Sequence, residues 1–330
     1  MVLHCFSSCG LHHSLRSPSP LSWLHARTRT TPPLRSTPRP VAAMHMTTLR
    51  PHPALQPYVV RYLSAKAAYS IPSVQMTGPA GGPALIVLME GAQRVGARGG
   101  ALQPTPTAYF AGHLDRALPA LLSGRIRVFM VHLTATGAYT LLRQSIGDLT
   151  NDAVDLALLP GADLQDWADA LADAPDDATR AAATDQLLLA RASTWLLRPH
   201  ACRVLRTASA ACELLARSNG HIPVEALAQQ LYTTPRTLRR HFEEVVGLPV
   251  RTHRQIIRFL AVRAHLDRHP DTSWRDVVSR FGYADQSHLI RDFHRFYGES
   301  PSVFRARRDE ARLITLTARG ADDAPGEPVP

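Results

Sequence analysis

Phe281-Gly282-Tyr283-Ala284-Asp285-Gln286-Ser287-His288-Leu289-Ile290-Arg291-Asp292-Phe293 is the stretch from which the fold is read. Gly282-Tyr283-Ala284 separates two helical patterns. Before it, Ser273-Trp274-Arg275-Asp276 makes a capping-box-like start, with aspartate in place of the usual Glu or Gln. That helix runs to about Phe281 and buries Val277 and Val278. After the turn, Leu289, Phe293 and Phe296 recur at helical spacing over 285–297. Gln286, Ser287, His288 and Arg291 are left on the other side. A helix, a short turn and a second helix with a polar outer face make a helix-turn-helix pattern.

Working upstream, the same pattern occurs once more. A helix over 223–231, with proline in its first turn, buries Leu227, Ala228 and Leu231. The turn Tyr232-Thr233-Thr234 leads into a helix from Pro235 to about Val246, with Thr234 as N-cap and Gly247 as C′ residue. Leu238, Phe242 and Val245 point to a core, which turns Arg236, Arg239 and Arg240 outward or sideways. A long helix over 250–269 links the two units. Another, over 203–217, precedes them, and a last turn over 303–308 closes the region.

Farther upstream the period changes. Ala84–Met89 is an apolar run after Gly81-Gly82-Pro83, and 125–133 begins with polar/apolar alternation. Short strands with Gly/Pro punctuation predict a β-barrel or jelly-roll-like sandwich over about 46–133. Helical patterns follow at 138–144, 162–172 and 179–198. Pro199-His200 is the expected domain boundary, because proline disfavours helix in the residue before it. Residues 1–45 are rich in Ser, Pro, Arg and Thr without periodicity, and are expected to be a disordered or mis-assigned extension. The last segment, 309–330, is expected to be a flexible tail.

A hydrophobic content of 45% fits globular domains rather than global disorder. No apolar run reaches the ~18 residues of a membrane span, so a cytoplasmic protein with no membrane partner is expected. The net charge of +10 is uneven. Residues 1–89 carry eight basic and no acidic residues, 90–199 nine and twelve, and 200–310 eighteen and twelve. A basic C-terminal region suits a phosphate-backbone partner. Of the 37 basic residues only Lys66 is lysine, a bias that GC-rich coding explains.

The four cysteines make no disulfide framework. Cys5 and Cys9 lack a second ligand pair for zinc, and Cys202 and Cys212 read as small buried residues. His113 and His132 stand alone, with no H-x-H pair, and read as structural histidines. No metal, no cofactor and no catalytic residue is expected.

Residues 203–306 resemble the DNA-binding domain of the AraC/XylS family of bacterial transcription regulators. The resemblance lies in Leu227-Ala228…Leu238-Arg239-Arg240-His241-Phe242-x4-Gly247 and in Val277…Phe281-Gly282-Tyr283-x2-Gln286-Ser287-His288-Leu289-x-Arg291-x-Phe293…Gly298-x-Ser300-Pro301-x2-Phe304-Arg305. Residues 50–190 more loosely resemble the family's cupin-like sensor halves. The turn before the first reading helix departs from the family in carrying threonines where a serine is usual, a change that preserves the capping chemistry.

The expected fold is therefore α+β and multidomain. A mainly-β cupin-like barrel with trailing helices (46–199) precedes an all-α domain of two helix-turn-helix units joined by a long helix (200–308). The resemblance implies a sequence-specific transcription factor that is not an enzyme. Its second helices would enter successive major-groove segments about one turn, ~34 Å, apart. Base reading falls to Arg236, Arg240 and Arg239, and to Gln286, Ser287, His288 and Arg291. Arginine suits guanine O6/N7 and glutamine suits adenine N6/N7. Double-stranded DNA, RNA polymerase, a small-molecule effector and a second copy of the chain are the expected partners. Two alternatives stay open: a sequence-blind architectural DNA binder, and a cupin-type metalloenzyme fused to a DNA-binding domain. A DNA-repair methyltransferase activator would need a four-cysteine zinc site that Cys5 and Cys9 cannot supply.

Overall fold

The computed structural model describes residues 41–96, 101–195 and 199–306. The segments 1–40 and 307–330 lie outside the described residues, and with them most of the expected N-terminal extension, the expected C-terminal tail and the reading of Cys5 and Cys9 as no zinc site. Among the described residues, seven strands form one antiparallel sheet: β1 (Val41–Leu49), β2 (Val59–Thr77), β3 (Ala84–Gly96), β4 (Leu102–Pro104), β5 (Ala108–Ala111), β6 (Leu118–Leu133) and β7 (Ala153–Asp155). Their order is β1-β2-β6-β3-β5-β7, with β4 also paired to β3. The strand β1 begins at Val41, inside the stretch expected to be extension. Its backbone adds to the edge of β2, Val41 opposite Tyr69, a pairing that needs no side-chain periodicity to form.

Three strands are much longer than their sequence punctuation suggests, at 19, 13 and 16 residues for β2, β3 and β6. The breakers are absorbed as bulges rather than ending the strands. Pro72, which has no N–H to give a ladder, falls in the register shift between Tyr69 and Ser73. Gly91, at φ +87°, falls in the shift between Glu90 and Ala92, where a Cβ would lie 2.2 Å from the Arg125 carbonyl oxygen. Such bulges bend the strands, and the sheet curls around a cavity on one face. The other face carries the helices α1 (Gly137–Leu142), α2 (Asp163–Asp173) and α3 (Asp177–Trp195).

Alternation assigns each strand residue to a face. Leu85 and Val87 of β3, Phe110 of β5, and Phe129 and Val131 of β6 pack with Leu141, Leu164, Trp167 and Leu188 of the helices. Tyr69, Ile86, Leu88, Tyr109 and Ile126 face the opposite way. Two arginines anchor α3. Arg180 donates to the Leu171 carbonyl at 3.0 Å, and Arg191 to Pro160 at 2.9 Å and to the Asp163 carboxylate at 2.5 Å. Each guanidinium is buried but has partners for its N–H groups, as buried cations need.

The C-terminal helices are α4 (Pro199–Arg217), α5 (Val224–Gln230), α6 (Pro235–Val246), α7 (Val250–Arg268), α8 (Trp274–Arg280) and α9 (Gln286–Tyr297), followed by a helical turn over 301–306. Helix α4 opens on Pro199 itself, a first position that has no need of an N–H. Pro223 is the N-cap of α5 rather than its first helical residue. One core joins these six helices through Leu215, Leu227, Phe242, Phe259, Val277 and Phe293. Tyr139 of α1 also belongs to it, so a residue of the β-rich part completes the helical core.

Candidate nucleic-acid interface

Helix α6 is set by its ends. The Thr234 hydroxyl accepts the Thr237 N–H at 3.1 Å, and Gly247 takes φ +77° and donates to the Glu243 carbonyl at 2.9 Å. Helix α9 repeats the arrangement. The Asp285 carboxylate accepts the His288 N–H at 2.6 Å, and Gly298 stands at φ +87°. Both helices are 12 residues long and both are backed by apolar side chains, Leu238, Phe242 and Val245 in one and Leu289, Phe293 and Phe296 in the other. The aspartate cap adds a negative charge at the positive end of the α9 dipole.

On the outer side Arg236, Arg239 and Arg240 of α6 are exposed, as are Gln286, Ser287 and Arg291 of α9. Arg239 approaches Glu225 of α5 at 3.8 Å, a loose surface pair that leaves the guanidinium free to move. The structure thus places six of the seven expected reading residues at the surface of their helices, three on each.

His288 is placed differently. Its ring stands edge-on to Tyr283, centroids 5.1 Å apart, and its Nε2 lies 3.1 Å from Nη2 of Arg258 on α7. The same Nη2 donates to the Asp292 carboxylate at 3.2 Å, both side chains being buried. The Arg258 guanidinium also covers the Tyr283 ring at 4.2 Å. This cluster of Arg258, Tyr283, His288 and Asp292 fastens the linker helix to the second reading helix. Burial raises the Tyr283 phenol above its usual range, with Asp292 adding to the effect. No pattern in the sequence signals the cluster. Arg258 reads as one more surface arginine until α7 and α9 are packed together.

A further residue that sequence reasoning passes over is Tyr232, in the turn before α6. It takes φ +50° and is 99% exposed, the largest exposure of any bulky apolar side chain among the described residues. An aromatic side chain held wholly in solvent beside the arginines is available for contact.

The β-rich part holds both reading helices by their C-terminal ends. At α6, the Tyr139 hydroxyl donates to the Glu244 carboxylate at 3.0 Å and Thr150 to the Gly247 carbonyl at 2.7 Å. At α9, the Ala117 N–H donates to the Arg295 carbonyl at 2.7 Å, and the Arg295 guanidinium to the Asp115 carbonyl at 3.0 Å. Gly78 lies so close that a Cβ there would be 2.2 Å from the Phe296 carbonyl oxygen. Between these two anchor points, buried His113 and His253 meet edge to face with centroids 6.1 Å apart. His113 contacts the Ala135 carbonyl oxygen at 3.2 Å through Nε2. Burial pushes its imidazole down to about 4, and burial together with His113 pushes His253 down to about 3.

Cys202 and Cys212 are both half-buried, and burial pushes the Cys212 thiol up to about 12. Among the described residues, no three His, Cys, Asp or Glu side chains are placed to hold a metal ion, and no helix is long and apolar enough to cross a membrane.

Comparison with known proteins follows the same division. Residues 227–307 match the family model of a helix-turn-helix domain, and residues 47–155 match a domain of unknown function. The HTH-type transcriptional activator RhaS of Shigella boydii is 33% identical over 143 residues, 42% of this chain and 49% of that protein. RhaS of Salmonella arizonae is 34% identical over 85 residues, 26% of this chain and 30% of that protein. The chain spans about half the length, or less, of the curated relatives it matches. Among solved structures, ToxT from Vibrio cholerae O395 is similar with a TM-score of 0.43 at 11% identity, covering 74% of this chain and 96% of that one.

Proposed function

We propose that the chain is a sequence-specific transcription factor of the AraC/XylS type reading a bipartite site, a reading supported by the match of residues 227–307 to a helix-turn-helix domain and by the likeness to RhaS. The observation that carries the reading is the pair of capped helices α6 and α9, backed by one core, each with three exposed polar or arginine side chains on its outer side. Inserted in successive major-groove segments, Arg236, Arg239 and Arg240 would read one half-site and Gln286, Ser287 and Arg291 the other. His288 serves mainly to position α9 through Arg258, while Tyr232 supplies a phosphate contact.

Recruitment of RNA polymerase and pairing with a second copy of the chain belong to the same proposal, as does control by a small molecule held in the β-rich domain. Selection of genomic fragments by the full-length protein, followed by competition with random DNA, tests the reading. A regulator retains a small set of fragments against random competitor, typically by ~10³-fold or more. Equal retention of random DNA, with affinity set by salt alone, would instead establish the architectural binder.

A further inference from the structure

The concave face of the sheet walls a cavity of about 410 Å³, a size at which small-molecule sites are found (~300–1,000 Å³). Its walls come from the strand residues turned away from α1–α3, among them Ala67, Ile86, Leu122, Ile126 and Val128. Core side chains fill the other face of the same sheet, so this space is not a general looseness of packing. It persists because the residues around it are small: Ala65, Ala84, Ala111 and Ala120 stand where larger side chains would close it.

The wall also carries uncharged polar groups. His132 lines it with its Nε2 buried and without a hydrogen-bond partner among the described residues, and burial holds that imidazole below its usual range, while the two tyrosines are paired with glutamines. Gln75 Nε2 donates to the Tyr69 hydroxyl at 3.3 Å, and the Gln93 amide donates to the Tyr109 hydroxyl. A phenol that accepts in this way still has its own proton to donate, and burial raises the Tyr109 phenol above its usual range, so it stays protonated. Among the described lining residues there is no lysine or arginine, and the one carboxylate, Asp152, is exposed at the rim. An anion placed here would lose its hydration and meet no cation. A cation would meet only the rim carboxylate and the neutral His132 ring, too little to offset its lost hydration.

We infer that this cavity binds a small uncharged molecule, largely apolar, that carries at least one hydrogen-bond acceptor for the hydroxyls of Tyr69 and Tyr109. The inference deepens the proposal of small-molecule control and rests on it for its biological meaning. The walls also connect to the DNA-binding side. Gly78 of the lining lies against the Phe296 carbonyl, and lining residue Asn151 donates to Asp115 at 2.9 Å, whose main chain in turn holds Arg295. A molecule that fills the cavity therefore presses on the residues that seat the end of α9.

The test uses full-length protein and the uncharged fluorophore Nile red, displaced in turn by decanol, decanoate and decylammonium. Decanol is expected to displace the probe at about tenfold or more lower concentration than either ion. Tyr109→Phe should weaken decanol several-fold while leaving DNA affinity in the absence of ligand unchanged. Ile86→Trp should abolish probe binding by filling the space. Because Ile86→Trp carries a risk of misfolding, Ala120→Leu provides a gentler filling, with retained DNA binding as the check on folding. Displacement by decanoate as readily as by decanol, or probe binding indifferent to both filling variants, would overturn the inference. Decanol binding that leaves DNA affinity unaltered would uphold the cavity's chemistry and remove the sensor role instead.

Discussion

Arg258 and Asp292 illustrate how much depends on single residues that touch no ligand. Both side chains are buried, and their contact at 3.2 Å is shared with His288 and the face of Tyr283. Removing one member of such a pair leaves an uncompensated buried charge, which typically costs about 3–5 kcal/mol. Asp292→Ala should therefore lower the thermal midpoint strongly, and because it frees α9 it should also weaken DNA binding at the half-site read by that helix. Thermal unfolding and footprinting of the two half-sites would check both parts. Arg240→Ala is expected to behave in the opposite way, because its side chain is exposed. Stability should be unchanged, while affinity for the specific site falls by about 1–3 kcal/mol and preference relaxes at one base pair. An equal loss on cognate and scrambled DNA in a binding titration would reassign Arg240 to the phosphate backbone.

At the scale of elements, the reading helices are fixed by their caps. Thr234→Ala removes the acceptor for the Thr237 N–H and should cost about 1 kcal/mol, measured by denaturant titration. Gly247 carries more constraint than a cap alone. Its φ of +77° disfavours any side chain, and a Cβ there would stand 2.8 Å from the Ile146 carbonyl oxygen. Gly247→Ala should therefore destabilise by more than the ~1 kcal/mol expected from backbone conformation, and the excess measures how tightly the β-rich part grips α6. These helices were legible from sequence because their signals are local. An N-cap residue, a 3.6-residue stripe and a C-terminal glycine all lie within one 12-residue span. The strands were less legible. Pro72 and Gly91 read as breaks, and only the pairing of β2 with β6 and of β6 with β3 shows them to be bulges within continuous strands.

At the scale of the molecule, the buried His113–His253 contact makes the junction sensitive to acid. Both imidazoles are held neutral, with folded values of about 4 and about 3 against an ordinary 6.5. The unfolded chain binds more protons than the folded one below pH ~6.5, so stability is full above that point and declines as pH falls toward the folded values. The slope approaches ~1.4 kcal/mol per pH unit for each imidazole. Unfolding titrations between pH 7 and pH 4.5 should show this decline, and His113→Gln should flatten it. Asp115→Ala removes the carboxylate that receives the Asn151 amide beside Arg295. It is expected to loosen α9 from the β-rich part, seen as faster proteolysis near residues 112–118 with the C-terminal core intact.

The sequence by itself determined the two helix-turn-helix units, their caps, their buried stripes and their outward arginines, because each of these rests on contacts within a dozen residues. It also separated the β-rich part from the helical part through the change of period. What only the tertiary structure decided lies between elements distant in the chain. The inward turn of His288 toward Arg258, the seating of α6 and α9 against the β-rich domain, and the cavity left by small residues on one face of the sheet are of this kind. Each depends on which surfaces meet, and pairing across 30 to 180 residues leaves no periodic trace in a single sequence.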